Sequence, residues 1–140
     1  MKHLIAAGPR KWLCHFAVMA GLAAASPTLA QTYTPAEQEA LYRRRVEPLL
    51  RTVSIIALAR RCDAAQPALP VQYDMAISHA GRAIGRAVLL IGADNNRGVR
   101  DYEEARAAGA RFASPESCAG LAANAEAVLK VKQLLQAFSF

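Results

Sequence analysis

Apolar residues recur at three- and four-residue steps along most of this chain, and nowhere do they alternate strictly as in a half-buried strand. Thr34-Pro35-Ala36-Glu37 has the form of a helix start, with Thr34 as N-cap, Pro35 in the first turn and Glu37 placed to close a capping box. The helix it opens runs to about Arg61, with Tyr42, Val46, Leu49, Val53 and Ile56 on one face. Pro48 lies inside that run and predicts a kink, because its ring meets the carbonyl four residues earlier. Asp63, Gln66, Pro67 and Pro70 end the pattern and predict a short connector over 63–70.

A second helix is predicted from about Val71 to Ile91, with Tyr73, Ile77, Ala80, Ile84, Val88 and Ile91 as its apolar stripe. Ala87 to Ile91 is apolar on nearly all sides, which predicts the central and most buried helix. Gly81 and Gly85 stand one turn apart, and glycine in a helix interior costs about 1 kcal/mol relative to Ala. Close approach of another helix is the expected reason. Gly92 to Gly98 reads as a turn-rich loop, followed by a short helix capped by Asp101 and ended near Ala108 by Gly109. Asp101, Glu103 and Glu104 would then sit at the favourable, positive end of that helix. Ser114-Pro115 opens a last helix reaching about Ala137, with Cys118, Leu121, Ala125, Val128 and Leu135 as inward candidates. The fold class expected is all-α, a small three- to four-helix bundle.

The first thirty residues change how the rest is read. Lys2, Arg10 and Lys11 precede an uncharged apolar run from Trp12 to Ala25, and Ser26-Pro27-Thr28-Leu29-Ala30 supplies small residues before Gln31. That order is the order of a secretory signal peptide. A retained anchor is the rival reading, but a span needs about 20 predominantly apolar residues, and Pro27 and His15 interrupt this one. The expected organisation is a signal peptide over 1–30 and a single helical domain over 31–140, periplasmic or secreted after cleavage near Ala30. Loss of Lys2, Arg10 and Lys11 leaves 14 basic and 11 acidic residues, a net charge of +3 instead of +6. That charge is too mild for nucleic-acid binding.

Cleavage also removes Cys14 and leaves Cys62 and Cys118 alone together, in a compartment where disulfides persist. A Cys62–Cys118 disulfide would bring the end of the first helix to the start of the last, with the second helix against both.

Candidate chemistry is sparse. Asp94-Asn95-Asn96-Arg97-Gly98 fails as a calcium loop, because the glycine comes one position early and Ala105 stands where the bidentate acid belongs. His79 is the one histidine after Ala30, and neither a haem motif nor a zinc set accompanies it. No cofactor and no metal is therefore expected. His79 shares a helical face with Met75, Arg82 and Arg86, which makes these residues a candidate anion-binding or catalytic strip, or else a solvated face. Arg43-Arg44-Arg45 is a candidate surface for the cell envelope, although Glu39 and Glu47 stand at pairing distance from nearby arginines. No nucleophile elbow or phosphate loop is present. The reading that follows is a non-enzymatic binding or interaction module meeting a protein or small ligand in the cell envelope. A small enzyme or anion-binding protein centred on His79, Arg82 and Arg86 is the first alternative, and envelope association through Arg43–Arg45 the second.

Overall fold

Thr34 caps the first helix as its neighbours predict: its hydroxyl accepts from the Glu37 N–H, and the Glu37 carboxylate accepts from the Thr34 N–H at 2.8 Å. The computed structural model describes residues 32–139. The predicted signal peptide at 1–30 lies outside them. Six helical segments follow in order: α1 (Pro35–Arg45), α2 (Glu47–Cys62), α3 (Pro70–Leu90), α4 (Asn95–Phe112), α5 (Pro115–Ala123) and α6 (Ala125–Ala137). No strand occurs among the described residues. α1 and α2 are one helix kinked at Val46, since the Val46 N–H still reaches the Tyr42 carbonyl and the Leu50 N–H still reaches Val46. The kink falls two residues before Pro48, within the turn whose carbonyl the ring displaces. Counted this way the described chain has five helices, one more than the upper expectation.

Two of the expected apolar stripes are the core. Tyr42, Val46, Val53 and Ile56 from α1–α2 are sealed from solvent, as are Tyr73, Ile77, Ala80, Ile84, Val88 and Ile91 from α3. The connector before α3 is pinned to this core by the Tyr73 hydroxyl, which accepts from the buried Ala65 N–H at 2.9 Å. Burial raises the Tyr73 phenol above its ordinary range. α2, not α3, is the hub: it touches every other helix, α4 most extensively and α3 next. α3 is not enclosed on all sides either. Leu89 and Leu90 are 70% and 73% exposed, because only the Ile84–Val88–Ile91 side of its last turns meets the bundle.

The largest correction concerns α4. Instead of a loop to Gly98 and a short helix capped by Asp101, a helix of 18 residues starts at Asn95 and passes straight through Gly98 and Gly109. Asp94 is its N-cap, accepting from the Asn96 N–H at 3.0 Å. The chain reverses only at Gly92, whose φ of +64° ends α3 in the left-handed conformation glycine tolerates best. Gly98 and Gly109 are contact points. A Cβ at Gly98 would lie 2.8 Å from the Val88 side chain, and one at Gly109 would run into the Ser54 backbone. Both glycines let α4 lie close against α3 and α2. Asp101 and its acidic neighbours are accordingly not at a helix start, and Gly109 does not end a helix.

The last predicted helix is two. Asn124 leaves the helical region (φ −95°, ψ 96°), and its side chain caps α6 by accepting from the Ala127 N–H at 3.0 Å. The break resets the helical phase. Val131 and Leu135 become the buried residues of α6, whereas Ala125 is exposed. The disulfide forms as expected, joining Cys62 at the end of α2 to Cys118 in the first turns of α5, with Cα atoms 5.1 Å apart. α5 starts at the predicted Ser114-Pro115, where the two serines Ser114 and Ser117 each accept from the other's N–H.

Candidate functional site

α3 carries the site candidates on the side turned away from the core. At 100° per residue, Ser78 and Gly85 fall to one side of Arg82, and His79 and Arg86 to the other. Arg82 is therefore a ridge between two depressions. On one side lies a groove between α3 and α4, of about 270 Å³, with Ile84 and Tyr102 among its lining residues and Val99 and Asn95 on the α4 wall. On the other side is a cleft of about 310 Å³ between α3 and the end of α6, lined by His79, Arg82, Ala83, Arg86, Ala137 and Phe138.

The groove owes its shape to glycines. The Tyr102 ring packs where a Cβ of Gly81 would be, 2.9 Å from its nearest carbon. Gly98 seats α4 on Val88 below. The expectation of close helix approach therefore holds at Gly81 and fails at Gly85, where a Cβ would meet nothing within 4 Å. Gly85 leaves the groove open instead. Burial raises the Tyr102 phenol above its ordinary range. Val99 is exposed on the rim, and Leu89 is exposed one turn beyond Gly85 on the same side of α3.

The structure thus brings His79, Arg82 and Arg86 together around one cleft. His79 is half-buried and both arginines are exposed. The ion pairs among the described residues engage Arg43, Arg51, Arg60, Arg97, Arg100 and Arg106, and neither Arg82 nor Arg86. Arg82 makes only a long contact, 3.4 Å, to the Ser78 hydroxyl. None of the residues lining the cleft is acidic. A general base at His79 would have no carboxylate there to orient it.

Arg43, Arg44 and Arg45 are all exposed, and Arg43 is held by Glu39 at 3.1 Å, as the four-residue spacing predicts. Glu47 likewise faces Arg51 at 3.7 Å. Among the described residues no group of three or more His, Cys, Asp or Glu is arranged to hold a metal ion, and no helix is long and apolar enough to cross a membrane.

One constellation has no counterpart in the linear reading. The buried Tyr42 hydroxyl donates to Asp101 at 2.6 Å, and the Arg97 guanidinium stacks 3.9 Å from the Tyr42 ring centre. Arg97 also reaches back to Glu39 at 2.7 Å. Burial first, then the bond to Asp101, push the Tyr42 phenol far above its ordinary range. The Arg97 hydrogen bond, then Arg43, hold Glu39 below the usual carboxylate value. This cluster clamps α1 to α4 over about 60 residues of sequence. Its one linear signal is the four-residue spacing of Arg97 and Asp101, which says nothing of Tyr42. The α3–α4 groove was equally hidden, although Gly98, Tyr102, Ala105 and Gly109 do recur at helical steps.

No protein-family model, curated protein or solved structure matches the chain.

Proposed function

We propose that this chain is an exported helical module that acts by binding and not by turnover, with the α3–α4 groove as its contact site. The observation that carries this reading is Gly85. It sits in the middle of a long helix at a cost of about 1 kcal/mol, and no atom of the protein occupies the space its side chain would fill. Beside it the groove exposes apolar walls, and exposed apolar surface in a small domain is a mark of contact sites. Export is supported by the order of residues 1–30, and a disulfide between the two cysteines beyond them is consistent with an oxidising compartment. The specific product of export would begin at Gln31, in the periplasm or outside the cell.

Two measurements test this. N-terminal sequencing of the protein from a periplasmic extract should read from Gln31; intact chain retained in the cytoplasm would overturn the export reading. The neutral fluorescent probe N-phenyl-1-naphthylamine should brighten with the purified protein and not with Gly85→Trp, whose side chain fills the groove. Equal brightening by both proteins, or none by either, would overturn the groove as the contact site.

The anion-binding alternative draws support from the cleft that gathers Arg82, Arg86 and His79 with no acid in its lining. An enzymatic version of it has no such support.

A further inference from the structure

Resting on the contact reading above, we propose that the groove and the cleft together bind one anionic single-chain amphiphile. Its alkyl chain lies between α3 and α4, and its head group is held by Arg82 and Arg86.

Three observations converge on this ligand class. First, the two depressions share Arg82, so a molecule lying in the groove and rising over the ridge meets the guanidinium directly. Neither depression alone is large for a small-molecule site, which spans about 300–1,000 Å³. They adjoin at Arg82, with about 270 Å³ on one side and about 310 Å³ on the other.

Second, the two parts differ in chemistry in the way an amphiphile requires. Ile84, Tyr102, Val99 and the glycines make the groove apolar, and from Ser78 to Gly85 it runs roughly 10 Å along the helix. Leu89, one helical turn after Gly85, is exposed as well. The cleft instead offers two guanidinium groups and an imidazole, with Phe138 as its apolar edge.

Third, among the described residues neither guanidinium has an ion-pair partner. Arg82 and Arg86 stand one turn apart, and a carboxylate or phosphate head group would supply an acceptor. A partner helix fits this site less well. The two unpaired guanidinium groups beside the groove favour a compact anionic head group over a helix face.

The test is competition for bound N-phenyl-1-naphthylamine by two amphiphiles of equal chain length and opposite charge, dodecanoate and dodecyltrimethylammonium, both below their micellar concentrations. Dodecanoate should displace the probe at a concentration at least tenfold lower. Arg82→Gln combined with Arg86→Gln should erase that preference, each displacement being read against that variant's own probe titration. Far-ultraviolet circular dichroism and melting of each variant confirm that the fold is kept. Equal displacement by the two amphiphiles, or a preference unaltered in the double variant, overturns the anionic ligand while leaving the groove intact. Failure of the probe to bind at all overturns the groove reading instead. Co-sedimentation with phosphatidylglycerol vesicles adds a second check: displacement by dodecanoate without sedimentation supports a free single-chain amphiphile, whereas sedimentation that is lost in the Arg82/Arg86 double variant would overturn it in favour of a two-chain bilayer lipid. Sedimentation without displacement overturns the proposed seat of the ligand.

Discussion

Gly109 of α4 lies directly on the backbone of Ser54 in α2, so close that a Cβ there would stand 2.9 Å from the Ser54 Cα and closer still to its carbonyl. The two most extensively packed helices of the domain meet at this point. Backbone cannot move aside as a side-chain tip can. Gly109→Ala is therefore expected to destabilise the protein by about 3 kcal/mol, the upper end of overpacking costs, outweighing the gain of about 1 kcal/mol in helix propensity. Urea unfolding curves check this.

Gly85→Ala should do the opposite. No atom would meet the new methyl, so only the helix-propensity gain of about 1 kcal/mol remains. The same unfolding measurement should show a higher midpoint than wild type. A fall in midpoint would mean that the open side of α3 is filled.

Tyr42→Phe keeps the ring under Arg97 but removes the donor to Asp101. The expected loss is about 1 kcal/mol, the usual net value of one hydrogen bond, since Asp101 reaches solvent and keeps Arg97 and Arg100 nearby. Thermal melts of the two proteins at neutral pH read it directly.

Acid should loosen the α1 end of the fold first. Glu37, held by the Thr34 N–H and hydroxyl, and Glu39, held by Arg97 and Arg43, both have pKa values below the ordinary 4.5. A depressed carboxylate stabilises the folded state fully above its unfolded value and loses that contribution as pH falls through the folded one. Melting temperature should therefore decline below about pH 4.5, and the gap between wild type and Glu39→Gln should close in the same interval. A gap that stays constant to low pH would contradict the Glu39–Arg97 clamp.

The disulfide closes a loop with a sequence separation of 56 residues, worth about 4 kcal/mol in the chain-entropy model. Cys62→Ser combined with Cys118→Ser should lower the unfolding free energy by that order. Intact mass should show no free thiol at either position until a reductant is added.

The features legible in the linear pattern are local or covalent. The Tyr42-to-Ile56 and Tyr73-to-Ile91 stripes are core because each is an apolar face of one helix, and any bundle must cover such a face. Thr34-Pro35 and Ser114-Pro115 open helices because caps act within one turn. Cys62 and Cys118 were left one possible intramolecular partner each. His79, Arg82 and Arg86 were grouped on one face by periodicity alone, whereas the Phe138 side of their cleft comes from α6 and could not be read there.

The all-helical character of the described residues, most of their core faces and the Cys62–Cys118 link are thus legible in the linear order of residues. The tertiary structure alone decided what the glycines mean. Gly92 reverses the chain, Gly98 and Gly109 are contact points inside a helix, Gly81 receives a ring and Gly85 leaves a groove. A residue without a side chain carries no mark of whether its missing Cβ frees a dihedral angle, admits a neighbour or leaves a space. Only what lies opposite decides, and what lies opposite is set by how α2, α3 and α4 pack.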